Sequence, residues 1–136
     1  MINVFADTSY WIALINPRDH LYGRLQSFRE ASSELRIVTT QWVLIELLNY
    51  FAERGNKLRE SASRLVDSIS ESTDVVIMPH TSEAFLAAFQ FYAARPDKAW
   101  SMTDCASFLI MQRYGIDSAL TFDRHFEQAG FKALLR

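Results

Sequence analysis

The sequence predicts an α/β domain with a mostly parallel five-stranded sheet covered by helices on both faces, and three observations predict it. Short runs rich in Val, Ile, Leu or Phe alternate with longer segments of helical periodicity. No internal repeat or low-complexity run interrupts them, and 4 Gly and 3 Pro in 136 residues leave no flexible linker, so residues 1–136 read as one domain. An apolar fraction of 49% is enough to bury both faces of a sheet.

In chain order, the first strand is Ile2–Ala6, an apolar run ended by Asp7. Residues 9–15 and 21–31 read as helices, and 36–39 as the second strand. The helix at 41–54 carries Val43, Leu44, Leu47, Leu48 and Phe51 at helical apolar spacing. A helix at 58–70, a strand at 74–78 and helices at Ser82–Ala94 and 103–114 follow. In Ser82–Ala94, Phe85, Leu86 and Phe89 fall at core spacing, while Ala88 and Tyr92 lengthen that apolar face or form a dimer surface. The chain closes with strands at 118–121 and 132–135 around a short helix after Asp123.

Composition removes several function classes. A net charge of −2 argues against a protein whose main task is nonspecific grip on nucleic acid, but a nuclease counts its metal-binding carboxylates in that total. Eleven of the 14 basic residues are Arg, the side chain suited to bidentate phosphate contacts. The single cysteine, Cys105, excludes an internal disulfide and a multi-cysteine metal site, and reads as a small buried thiol. The longest oily stretches are too short to span a bilayer, and the opening residues lack a secretory pattern, so a cytoplasmic location is expected. His20, His80 and His125 are far apart, which disfavours zinc. No glycine-rich phosphate loop follows the first strand, and Met78-Pro79-His80 stands where a phosphoacceptor receiver needs an aspartate.

In an open parallel sheet the ligand crevice lies beyond the carboxyl ends of the strands. Two of the predicted strand exits carry an aspartate, Asp7 and Asp123. Each has a local alternative as a helix N-cap, and Asp104 has one in a Ser101-x-x-Asp104 capping box. Glu46 has none: it sits mid-helix among apolar residues, with no basic partner within four positions. Two carboxylates about 5 Å apart repel by roughly 3 kcal/mol at an effective dielectric near 20, so four converging acids call for a cation. An all-oxygen set suits Mg²⁺ or Mn²⁺, and a bound divalent ion that activates water and steadies phosphoryl charge points to phosphodiester hydrolysis.

These segments resemble the PIN-domain nucleases, and within them the VapC-type toxins of bacterial toxin–antitoxin pairs. The resemblance rests on Val4-Phe5-Ala6-Asp7-Thr8-Ser9, on Glu46 within Val43 to Leu48, on Ser101-Met102-Thr103-Asp104, and on Thr121-Phe122-Asp123-Arg124-His125-Phe126. It implies a three-layer α/β/α sandwich with strand order 3-2-1-4-5, cleavage of RNA dependent on Mg²⁺ or Mn²⁺, commonly a homodimer, and an antitoxin partner whose tail covers the acidic site. Asp7, Glu46 and Asp104 match the core metal-binding acids and Asp123 the fourth. Thr8, Ser9 and Thr121 match supporting hydroxyls. Arg18, Arg95, Lys98 and Arg124 flank the motifs and are candidate RNA contacts, as is Trp100 in its polar loop as a stacking platform. Two other functions fit the same residues: a housekeeping RNA-processing nuclease without antitoxin, and a weakly catalytic module whose acidic pocket binds a partner's arginine.

Overall fold

A computed structural model describes residues 2–32 and 34–136. Twelve elements follow in order: β1 Ile2–Ala6, α1 Thr8–Ile15, α2 Tyr22–Ala31, β2 Leu35–Thr40, α3 Gln41–Phe51 and α4 Asn56–Glu71. Then come β3 Val75–Met78, α5 Ser82–Ala94, α6 Met102–Tyr114, β4 Ser118–Leu120, α7 Arg124–Gln128 and β5 Lys132–Ala133.

All five strands are parallel and lie in the order β3-β2-β1-β4-β5. The chain builds outward from β1 through β2 to β3, then returns to the other side of β1 to place β4 and β5. Right-handed crossovers therefore put α1–α4 on one face of the sheet and α5–α7 on the other. The packing agrees: α1 touches α2, α3 and α4, whereas α6 touches α5 and α7. Helix α3 also reaches α6, joining the two layers. Strand order reverses between β1 and β4, where the crevice of an open parallel sheet forms.

The core is large and aromatic: Phe5, Trp11, Phe51, Phe108 and Phe126 are fully buried. Inside it the Thr39 hydroxyl donates to the Ala6 carbonyl and accepts from the Trp11 indole, while the buried Trp42 indole N–H has no partner among the described residues. Cys105 is a buried free thiol, pushed above its ordinary range by desolvation and the charge of Asp104.

Helix α5 departs from the sequence reading. Phe85, Leu86 and Phe89 are 47%, 54% and 49% exposed, and Ala88 is the buried residue of the helix. The inward stripe is Ala84, Ala88 and Phe91, spaced by four and three residues. Apolar residues cover most of this helix, so spacing alone does not select a face. The small Ala84 and Ala88 let α5 approach α6 closely, which turns the larger side chains outward.

A four-carboxylate candidate metal centre

The register of β1 and β4 builds the site. Ala6 pairs with Leu120, so the next residues of the two strands, Asp7 and Thr121, stand side by side at the strand exits. Thr121 leaves the ladder and its hydroxyl becomes a hub. It donates to Asp7 Oδ2 at 2.9 Å and accepts from the Asp123 amide at 3.0 Å and the Ser9 hydroxyl at 3.4 Å. Asp7 makes no side-chain cap to α1, so the N-cap alternative fails for this residue.

Thr8, at the first turn of α1, donates its hydroxyl to Glu46 Oε1 at 2.6 Å, tying α3 to the end of β1. Glu46 itself is exposed, which corrects the expectation of a carboxylate pressed among large apolar side chains. Val43, Leu44 and Leu47 turn into the core, and Glu46 stands on the other side of α3, over the crevice.

The capping alternatives for Asp104 and Asp123 are both realised without removing either residue from the site. Asp104 closes the capping box of α6, its Oδ2 accepting from the Ser101 amide at 3.1 Å. Asp123 caps α7, its Oδ1 accepting from the His125 amide at 2.9 Å. The His125 ring then sits between them, with Nδ1 3.0 Å from Asp104 Oδ2 and 3.4 Å from Asp123 Oδ2. With Asp104 ionised, this contact requires the proton on Nδ1. Asp104, Asp123 and His125 each offer one ligand atom, all within 4.8 Å of one another.

Electrostatics record the crowding. Burial, with the charges of Asp104 and Glu46 adding to it, pushes Asp7 up to about 7, against the hydrogen bonds from the Thr8 amide and Thr121. Asp104 is also raised, by desolvation and the charge of Asp123, against donation from the Ser101 amide and His125. Both side chains are held in the charged form only at a cost, which a cation would remove. The donor set is carboxylate-rich with one imidazole at its edge, which fits a hard divalent ion.

His125 is the site residue that sequence reasoning missed. Its signal was local, an Asp-x-His at a helix start, but its partner Asp104 lies 21 positions away. Among the candidate RNA contacts, Trp100 is corrected. It is 5% exposed, packs edge-on against Phe91 and Phe108, and donates its indole N–H to Gln128 Oε1 at 3.0 Å, so it offers no face to a base. Arg95 is held bidentate by Asp97 and, with Lys98, lies near the Trp100 ring. Arg18 and Arg124 are exposed and make no ion pair among the described residues.

A five-stranded parallel sheet in this order, with acids gathered at the β1–β4 junction, defines a PIN-type fold. The chain belongs to the PIN domain family, whose pattern matches residues 4–132, and within it to the VapC type. It is 30% identical over 129 residues to the 23S rRNA-specific endonuclease VapC20 of Mycobacterium tuberculosis, covering 94% of this chain and 95% of that protein. The crystal structure of that sarcin-ricin loop cleaving toxin superposes with a TM-score of 0.82 at 27% identity, over 94% of this chain and 95% of the other. FitAcB from Neisseria gonorrhoeae shares the fold, with a TM-score of 0.63 at 15% identity, over 96% and 94% of the two chains.

Proposed function

We propose that this protein is a divalent-metal-dependent endoribonuclease that cuts a structured ribosomal RNA and acts as the toxin of a toxin–antitoxin pair. One observation carries the reading: Asp7, Glu46, Asp104 and Asp123 come from four separate segments of the chain to one strand-exit crevice, each within the others' electrostatic reach or hydrogen-bond network. The similarity to a 23S rRNA-specific endonuclease supports ribosomal RNA as the substrate class.

In this reading Asp7, Glu46, Asp104 and Asp123 hold Mg²⁺ or Mn²⁺, with His125 against two of them. The ion, when bound, lowers the pKa of a water and neutralises charge on the phosphoryl oxygens. The chain's own contribution is orientation. Thr121 and the Thr8 amide hold Asp7, the Thr8 hydroxyl holds Glu46, and Ser101 with His125 takes one oxygen of Asp104, leaving Oδ1 without a protein donor among the described residues.

The same reading includes an antitoxin whose cationic tail neutralises the acidic crevice, a cytoplasmic location, and a homodimer. The outward face of α5 supports the dimer, with Phe85 stacked on Phe89 at 6.5 Å and on Trp42 at 6.0 Å. None of the described helices is long and apolar enough to cross a membrane.

The test is incubation of intact ribosomes and free 23S rRNA with the protein in Mg²⁺, Mn²⁺ or EDTA, with Asp7→Asn alongside and fragment ends mapped. A discrete metal-dependent cut missing from the variant is expected. Equal cutting by the variant overturns the assignment of the acids.

A further inference from the structure

Beside the acidic crevice lies a second cluster of opposite charge. Phe122, half-buried, is the residue between the hub Thr121 and Asp123. The Arg24 guanidinium, from α2, lies over its ring at 5.4 Å, and that of Arg136 lies over it at 5.3 Å. The His20 ring meets the same phenyl edge-on at 5.5 Å. Three segments distant in sequence thus converge on one aromatic side chain that directly adjoins a candidate metal-binding acid.

Both guanidiniums are fixed rather than free. Arg24 Nη1 donates to the Leu135 carbonyl at 3.1 Å, and Arg136 Nη1 donates to the Phe122 carbonyl at 3.1 Å. Arg136 is also paired with Glu127 at 2.9 Å, while Arg24 is exposed and has no carboxylate partner among the described residues. A guanidinium has five N–H donors in a planar fork. Stacking and one carbonyl bond set its orientation while leaving most of Arg24's donors unused. Such a pre-set fork matches phosphate oxygens bidentately and loses little side-chain freedom on binding.

The position matters as much as the charge. The ring that carries the stacked pair belongs to the residue immediately before Asp123 in the chain. A polyanion approaching four carboxylates needs positive charge close by that is not itself consumed by the acids. Arg24 meets this requirement among the described residues, whereas Arg136 shares its charge with Glu127, and Arg95 and Arg64 are paired with Asp97 and Glu60.

We propose that Arg24 and Arg136, stacked on Phe122, form a phosphate-binding subsite for the RNA strand flanking the scissile bond. This rests on the nuclease reading above, and the subsite sets binding rather than chemistry.

The experiment measures fluorescence anisotropy of a fluorescein-labelled hairpin RNA with Asp7→Asn protein, which blocks turnover, across a series of salt concentrations. Adding Arg24→Gln is expected to weaken binding about tenfold and to lower the slope of log affinity against log salt by about 0.7, the loss of one phosphate contact to a single strand. Arg24→Lys restores the slope but only part of the affinity, since it keeps charge and loses the fork. Arg136→Gln gives a second reading that leaves the Arg24–Leu135 bond in place, with circular dichroism melting of each variant as the fold control.

Unchanged affinity and slope in well-folded Arg24→Gln and Arg136→Gln overturn the subsite and leave the two arginines as ties for the segment around Leu135. The ribosomal cleavage assay, run in parallel on protein with Asp7 intact, separates the two readings. Cutting by the wild type with unchanged RNA affinity in the variants sinks only the subsite. Absent cutting with weakened RNA affinity in the variants sinks the nuclease and keeps the subsite.

Discussion

The Thr121 hydroxyl donates to Asp7 Oδ2 at 2.9 Å across 114 positions of sequence, and the same Thr121 hydroxyl accepts from the Asp123 amide at 3.0 Å. One buried hydroxyl therefore sets the carboxylate at the end of β1 and the turn that carries the fourth acid.

Thr121→Val keeps the shape and removes both functions. Asp7 loses a donor that lowers its pKa, and the Asp123 amide loses its acceptor. A destabilisation of about 1–3 kcal/mol is expected, the cost of buried polar groups left unpaired. Thermal melting reads this directly, and calorimetry with Mn²⁺ should show weaker binding than wild type at neutral pH. An unchanged melt and Mn²⁺ isotherm would show that the hub is dispensable.

Asp7 gives a pH prediction with a definite sign. Its carboxyl goes from an ordinary value of 3.8 to about 7 on folding, so the folded state holds that proton more tightly than the unfolded state. Stability of the metal-free protein then falls as pH rises between about 4 and about 7, and levels off above. Asp7→Asn removes the titration, raising the metal-free Tm at pH 7.5 by about 3–8 °C and reducing the stabilisation by added Mn²⁺. Lower metal-free stability in the variant, with a wild-type response to Mn²⁺, would point to a purely structural carboxylate.

His125 separates support from ligation. Asn places an amide N–H near the Nδ1 position, so His125→Asn should keep Asp104 oriented, with Mn²⁺ affinity within about threefold of wild type; His125→Ala should lose about tenfold. Equal losses in both would mean that the imidazole nitrogen itself binds the ion.

The outward face of α5 predicts an assembly. Phe89→Glu should convert a dimer to a monomer in sedimentation equilibrium with little change in the monomer's fold, because this ring is half exposed. Identical sedimentation of both proteins would remove α5 from the interface.

The order of elements and the parallel sheet were legible because each strand is a short apolar run punctuated by polar exits, and periods of two and 3.6 do not mimic one another over such lengths. Strand order came from the resemblance, since alternation alone does not say on which side of β1 the chain places β4. The four acids could be picked out one by one, but their surroundings could not. Glu46 looked buried because its helix is apolar in composition, yet a helix has two sides and its acid takes the open one. Trp100 looked exposed because its loop is polar, yet the indole folds back on Phe91 and Phe108. His125 and Phe122 acquire their meaning only from partners 21 and about 100 positions away, contacts that no local pattern encodes.

The pairing of Ala6 with Leu120 has a consequence in time. Asp7 follows β1 and Asp123 follows β4, so a growing chain carries no assembled crevice before β4 has been made. Long-range closure of this kind is slow compared with the local winding of helices. The proposed nuclease centre is thus absent from a nascent chain until β4 has paired with β1.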